Sequence, residues 1–126
     1  MRAVLAAVLL LSPVCIAHAE LPSASALAIN QALSSGTPTV IDLGARTCIP
    51  CKKMAPILES LSREYRGKAG VLFIDVHEDQ DAAKRFRVQM IPTQIFFDAK
   101  GKEVKRHMGF MDKEALLKEL KAAGLK

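Results

Sequence analysis

The chain has 126 residues, with 18 lysines and arginines against 13 aspartates and glutamates, a formal net charge of +5, and a hydrophobic share of 50%. That length predicts one domain with a modest core and no second one. The basic residues alternate with acids, as in Arg63-Glu64 and Lys118-Glu119, which describes a solvated mixed-charge surface and argues against nucleic acid as a partner.

Residues 1–19 read as a secretory signal. Arg2 supplies the positive start, Ala3 to Leu11 the apolar stretch, and Ala17-His18-Ala19 the small-x-small cut before Glu20. The apolar stretch is too short to span a bilayer. Pro13-Val14 fit a lipid-anchor signal poorly, so Cys15 is expected to leave with the signal. The exported chain, Glu20 to Lys126, then keeps only Cys48 and Cys51.

Ser23 is placed to cap a helix through Leu33, which Ser34-Ser35-Gly36 and Pro38 end. Thr39 to Leu43 reads as a buried central strand in which Asp42 is the exception. After Cys48-Ile49-Pro50-Cys51, Lys52-Lys53-Met54-Ala55 opens a helix to about Tyr65, with a kink expected at Pro56 and a buried stripe of Ile57, Leu58 and Leu61. Val71 to Val76 reads as a second buried strand and Asp79 to Phe86 as a short helix. Thr93 to Phe97 and Glu103 to Met108 flank Asp98-Ala99-Lys100-Gly101 as a β-hairpin. Asp112 caps a last helix to Ala123, with Leu116, Leu117 and Leu120 on its apolar side. The order is α-β-α-β-α-β-β-α.

The chemistry concentrates at the strand-to-helix junction. A cysteine at a helix N-terminus faces unpaired N–H groups and the positive end of the helix dipole, which lowers its pKa below the free value of about 8.5. Cys51, one helical turn on, lies on the same face, so the two can cycle between dithiol and disulfide. Other readings of the pair are a structural disulfide and half of a zinc site. His77 and His107 stand alone, with no second Cys/His pair at ligand spacing, so no metal and no cofactor are expected, and both histidines are expected at the surface. Asp42 also reads as a satisfied core polar group. Met54, Met90, Met108 and Met111 read as core or rim packing, although Met90 beside Pro92 keeps a copper-handling reading open.

From about Pro38 to Leu120 the chain resembles the thioredoxin family. The resemblance is carried by Asp42 six residues before the first cysteine, by CxPC, by Lys52 and Ala55-Pro56, by Ile91-Pro92-Thr93, and by Gly101 and Gly109. Gly109-Phe110-Met111-Asp112 is also similar to a segment in the C-terminal thioredoxin-like domain of the bacterial thiol transporter DsbD, which points to the bacterial envelope and a periplasmic location. The resemblance implies an α/β thioredoxin-like fold, a mixed four- to five-stranded sheet flanked by helices. It implies Cys48 as the exposed nucleophile, Cys51 as the buried resolving thiol, and Pro92 as a cis-proline that brings the backbone at Ile91 and Thr93 beside the cysteines, where Ile49 and Pro50 also meet substrate. It implies Asp42 as the buried proton acceptor for Cys51.

Departures from the family bear on substrate and direction. Thr47 and Gly44 stand where aromatic residues are usual, and the chain has no tryptophan. Val71 aligns with the lysine that usually accompanies the buried aspartate. Arg46 is a candidate to stabilise thiolate or to recruit an acidic partner. Ile49-Pro50 puts no charge between the cysteines, which favours a reductase-like potential. The expected activity is reduction of disulfides in protein substrates by a monomer, with a membrane thiol transporter as electron donor. The alternative is a non-catalytic thioredoxin-fold module for binding or copper handling.

Overall fold

The computed structural model describes residues 20–126; the signal-peptide reading and Cys15 lie outside the described residues. Eight elements follow in the expected order: α1 (Ala26–Leu33), β1 (Thr39–Gly44), α2 (Ile49–Glu64), β2 (Gly70–Asp75), α3 (Gln80–Arg85), β3 (Thr93–Phe97), β4 (Glu103–Met108) and α4 (Lys113–Ala122). The sheet is mixed and four-stranded, in the order β2-β1-β3-β4, with β1 parallel to β2 and antiparallel to β3. The hairpin joins β3 to β4, and Gly101 takes its turn at φ 76°, a left-handed conformation in which glycine is unstrained.

Alternation along β1 divides the core in two. Val40, with Val71, Phe73 and Phe96, packs beneath Met54, Leu58 and Leu61 of α2 and Leu116 and Leu120 of α4. On the other face Ile41, Leu43, Ile74 and Ile95 meet Ile29 of α1 and Ala82 and Phe86 near α3. Asp42 shares the first face because side chains repeat every second residue in a strand.

Some boundaries move. Ser25, not Ser23, caps α1, accepting from the Ala28 N–H at 3.2 Å. Ser23 instead forms a parallel bridge to Phe73, and its Oγ accepts from the Asp75 N–H at 2.9 Å. The fifth strand allowed for in the sequence is reduced to this single bridge. Helix α2 begins earlier than its first basic residues suggest, with Cys48 as N-cap and Pro50 in the first turn, where proline costs nothing because that N–H is unpaired anyway. It continues through Pro56 as one 16-residue element. Asp79 is the N-cap of α3 rather than its first residue, and Asp112 caps α4 as expected. Among the described residues no helix is long and apolar enough to cross a membrane.

Candidate active site

Strand β1 ends at Gly44, and the chain turns through Ala45, Arg46 and Thr47 into α2. Cys48 keeps an extended backbone, and its Sγ accepts from the Cys51 N–H at 3.3 Å. The sulfur therefore sits where negative charge is favoured by the helix terminus. Cys48 and Cys51 are joined as a disulfide, with Cα atoms 5.1 Å apart. The two ends are unequal. Cys51 is 4% exposed, while Cys48 is half-buried and flanked by exposed Ile49 and Pro50. An incoming thiolate or disulfide reaches the Cys48 side.

Gly44 makes room for the buried end. A Cβ built there would lie 3.2 Å from Cys51 Sγ and 3.4 Å from the Phe73 ring. The glycine in place of an aromatic residue lets the disulfide rest on β1.

Asp75, which reads in sequence as part of a strand, organises the approach to the cysteines. Its Oδ2 accepts from the Arg46 N–H at 3.1 Å, and its Oδ1 from the His77 N–H at 2.8 Å. Burial pushes its carboxyl up, but N–H donors from His77, Arg46 and Glu78 outweigh that and hold it below the usual range. A signal was present, an aspartate between an apolar run and the turn residues His77-Glu78, but not its contact with Arg46 29 positions away. Asp75→Ala is expected to lose about 2 kcal/mol by stranding these donors, read by urea unfolding, and to slow thiol exchange by loosening the loop before Cys48.

Arg46 does not stand free beside the thiol. Its guanidinium donates to Glu20 Oε2 at 2.9 Å and to the Leu21 carbonyl at 3.0 Å, and lies 5.0 Å from the Phe73 ring centre. Glu20 thus pairs with Arg46 within the chain. Arg46, Glu20, Leu21 and Phe73 line a small cavity that also reaches Cys51.

The Ile91-Pro92 peptide is cis. Pro92 is buried, its carbonyl accepts from the Gly109 N–H at 2.8 Å, and Thr93 Oγ1 donates to the Met90 carbonyl at 2.7 Å. The first bond ties the loop to the end of β4, and the second closes the loop on itself. Ile91 is half-buried and Thr93 buried. Ile49, Met90, Met108 and Phe110 are exposed apolar side chains.

Asp42 is fully buried. Gln94 Nε2 donates to its Oδ1 at 2.8 Å, and Oδ2 has no hydrogen-bond partner. Desolvation pushes its pKa up to about 6, against the lowering effect of the Gln94 bond. Gly44, two residues on and on the same face, points the place of its missing Cβ at Cys51 Sγ, so the carboxyl lies on the side of the sheet under the resolving cysteine.

His77 is exposed as expected, but His107 is half-buried with Nδ1 2.8 Å from Gln94 Oε1. Gln94 carries no motif; its place opposite Asp42 follows only from the strand register. The methionines divide: Met54 and Met111 are buried, Met90 and Met108 exposed. Among the described residues no three His, Cys, Asp or Glu side chains cluster as a metal site would need.

Comparison with known proteins agrees with this geometry. The thioredoxin family model matches residues 23–122. Thioredoxin of Staphylococcus haemolyticus (strain JCSC1435) is 43% identical over 91 residues, spanning 72% of this chain and 86% of that protein. The bifunctional thioredoxin reductase/thioredoxin of Mycobacterium leprae (strain TN) is 42% identical over 88 residues, which are 70% of this chain but only 19% of that protein. Among solved structures, a mutant thioredoxin from Halobacterium salinarum NRC-1 superposes with a TM-score of 0.72 at 28% identity, covering 82% of this chain and 88% of that one.

Proposed function

The chain belongs to the thioredoxin family and is a thiol-disulfide oxidoreductase, and we propose that it works as an exported protein-disulfide reductase of the bacterial envelope. The observation that carries the direction is the pair itself: uncharged Ile49-Pro50 separates the cysteines, and among the described residues the helix terminus is the one feature in contact with Cys48 that favours thiolate. Strong oxidants of this chemistry stabilise the reduced form further.

In the forward reaction Cys48 thiolate attacks one sulfur of a substrate disulfide. The S–S bond breaks, its electron pair leaves with the other substrate sulfur, and a mixed disulfide forms at Cys48. Cys51 then gives its proton to Asp42 and attacks Cys48 Sγ, releasing the second substrate sulfur. Two electrons have passed to the substrate, and the Cys48–Cys51 disulfide must recover two from a dithiol donor. A membrane thiol transporter fits that need in an oxidising compartment, in keeping with the signal-like residues 1–19 and the Gly109-Phe110-Met111-Asp112 segment. The substrate's extended chain is read as lying along Ile49, Pro50, Ile91 and Thr93, with the protein acting as a monomer.

Equilibration of the purified protein in dithiothreitol and glutathione buffers tests this. A potential near −270 mV, in the thioredoxin range, is expected; a value near −120 mV overturns the reductase reading. In cells, loss of the transporter is expected to leave the protein oxidised. A protein that is equally reduced with and without it has another donor.

A further inference from the structure

Three polar side chains stand in one row on the sheet face covered by α2 and α4. Asp42 on β1 pairs with Gln94 on β3, and Gln94 pairs with His107 on β4. Gln94 is fully buried and bridges the other two, donating from Nε2 to Asp42 Oδ1 and presenting Oε1 to His107 Nδ1, both at 2.8 Å. An amide donates only from its nitrogen and accepts only at its oxygen. Oε1 cannot donate, so His107 Nδ1 carries the hydrogen. With a bare Nδ1 the amide would turn over, and its oxygen would face the Asp42 carboxyl.

We propose that His107 is a positioning residue for Asp42: through Gln94 it fixes the donor on the carboxyl and couples the ionisation of a fully buried group to an imidazole at the edge of the sheet. This rests on the reading of Asp42 as the proton acceptor for Cys51. The bond from Gln94 is the one Asp42's side chain accepts among the described residues. The hydrogen bond from the imidazole polarises the amide and strengthens its donation to Asp42, which favours the carboxylate.

Few other charges bear on the row. The rest of this face is Val40, Gly44, Val71, Phe73, Phe96 and, at the end of β2, Asp75, whose carboxylate is held by the N–H groups of Arg46, His77 and Glu78. From α2, Cys51 is held in the disulfide and does not titrate in the oxidised chain, Tyr65 is half-buried against this core, and Lys52 and Lys53 are exposed. From α4, Lys113 Nζ is engaged by Glu64 and Ser60. Lys105, two residues from His107 along β4, is exposed. Among the described residues Asp42 therefore has no cationic partner in the core, and the Gln94–His107 arm is its link to the edge strand.

The test follows the Asp42 side-chain carbonyl by carbon-13 NMR across pH in the oxidised full chain. His107→Phe is expected to raise the Asp42 midpoint by about half to one unit, the size of one neutral hydrogen bond. His107→Asn, whose amide can still donate to Gln94, is expected to return it toward the parent value. In a Gln94→Leu background, His107→Phe is expected to add nothing. A His107→Phe titration that overlays the parent, or a shift that survives Gln94→Leu, overturns the coupling. A second arm leaves His107 in place: Gln94→Leu alone is expected to raise the Asp42 midpoint as His107→Phe does, and an unchanged Asp42 titration there overturns the proposal. The proton-acceptor reading fails separately, if Asp42→Asn resolves mixed disulfides at pH 7 as fast as the parent.

Discussion

Replacing Cys48 with serine is expected to abolish disulfide reduction, while replacing Cys51 is expected to leave the first attack intact and stop the second. The expected loss for Cys48→Ser is at least about four orders of magnitude in rate, the scale seen when a nucleophile is removed from machinery that acts as a unit. Cys48 is the sulfur at the helix N-cap, half-buried beside exposed Ile49 and Pro50, whereas Cys51 is 4% exposed beneath it. A serine at 48 keeps the cap acceptor, so the fold is retained and the loss is chemical. A serine at 51 leaves Cys48 able to attack but with no neighbouring thiol to release it, so the variant accumulates as a mixed disulfide with its substrate. Insulin turbidity with dithiothreitol as electron source reads the first effect. Mass spectrometry of the trapped adduct reads the second. If Cys51→Ser traps nothing while Cys48→Ser does, the two roles are reversed.

What the sequence reveals of this site is what local chemistry encodes. Cysteines spaced by two residues, at a place where an apolar run gives way to helix formers, need no tertiary information to be seen, and all eight elements were legible from apolar periodicity and caps. What was not legible depends on register. Ser23 and Ser25 are equally good caps by residue type; Ser25 wins because Ser23 is drawn to the edge of β2 by the Phe73 bridge and the Asp75 N–H. His107 reads as a surface residue on an exposed hairpin strand until β3 is aligned beside it. Gln94, inside an apolar run, has no meaning until it stands opposite Asp42. Arg46 reads as a free cation beside a thiol; Glu20, 26 positions away, engages it. Asp75 belongs with these, because an aspartate at a strand end is common and one that holds the loop before a reactive cysteine is defined by a distant contact.

Asp42→Asn is expected to make the protein more stable at pH 8 and, by about 1 kcal/mol, less stable at pH 4. The carboxyl titrates near pH 6 in the folded chain, against about 3.9 when unfolded. Below about pH 4 both states hold the proton and the group costs nothing. As pH rises through the window from 4 to 6, the unfolded chain gives up its proton first. Stability therefore falls across that window and is flat above it, the sign expected when the folded state binds the proton more tightly. A difference of about two units corresponds to about 3 kcal/mol. Asparagine removes that cost but places an NH2 where Oδ2 now has no partner, which returns about 1 kcal/mol. The net expectation is about 2 kcal/mol at pH 8, read by urea unfolding of the oxidised forms. Equal gains at pH 4 and pH 8 would assign the effect to packing instead of ionisation. A fully buried carboxyl with one oxygen unpaired is costly in a core, and a leucine or valine there would make a more stable protein. If Asp42 takes the Cys51 proton during resolution, as proposed above, the same substitution that stabilises the fold is expected to slow release of the mixed disulfide by about a hundredfold, at the low end for a lost general base.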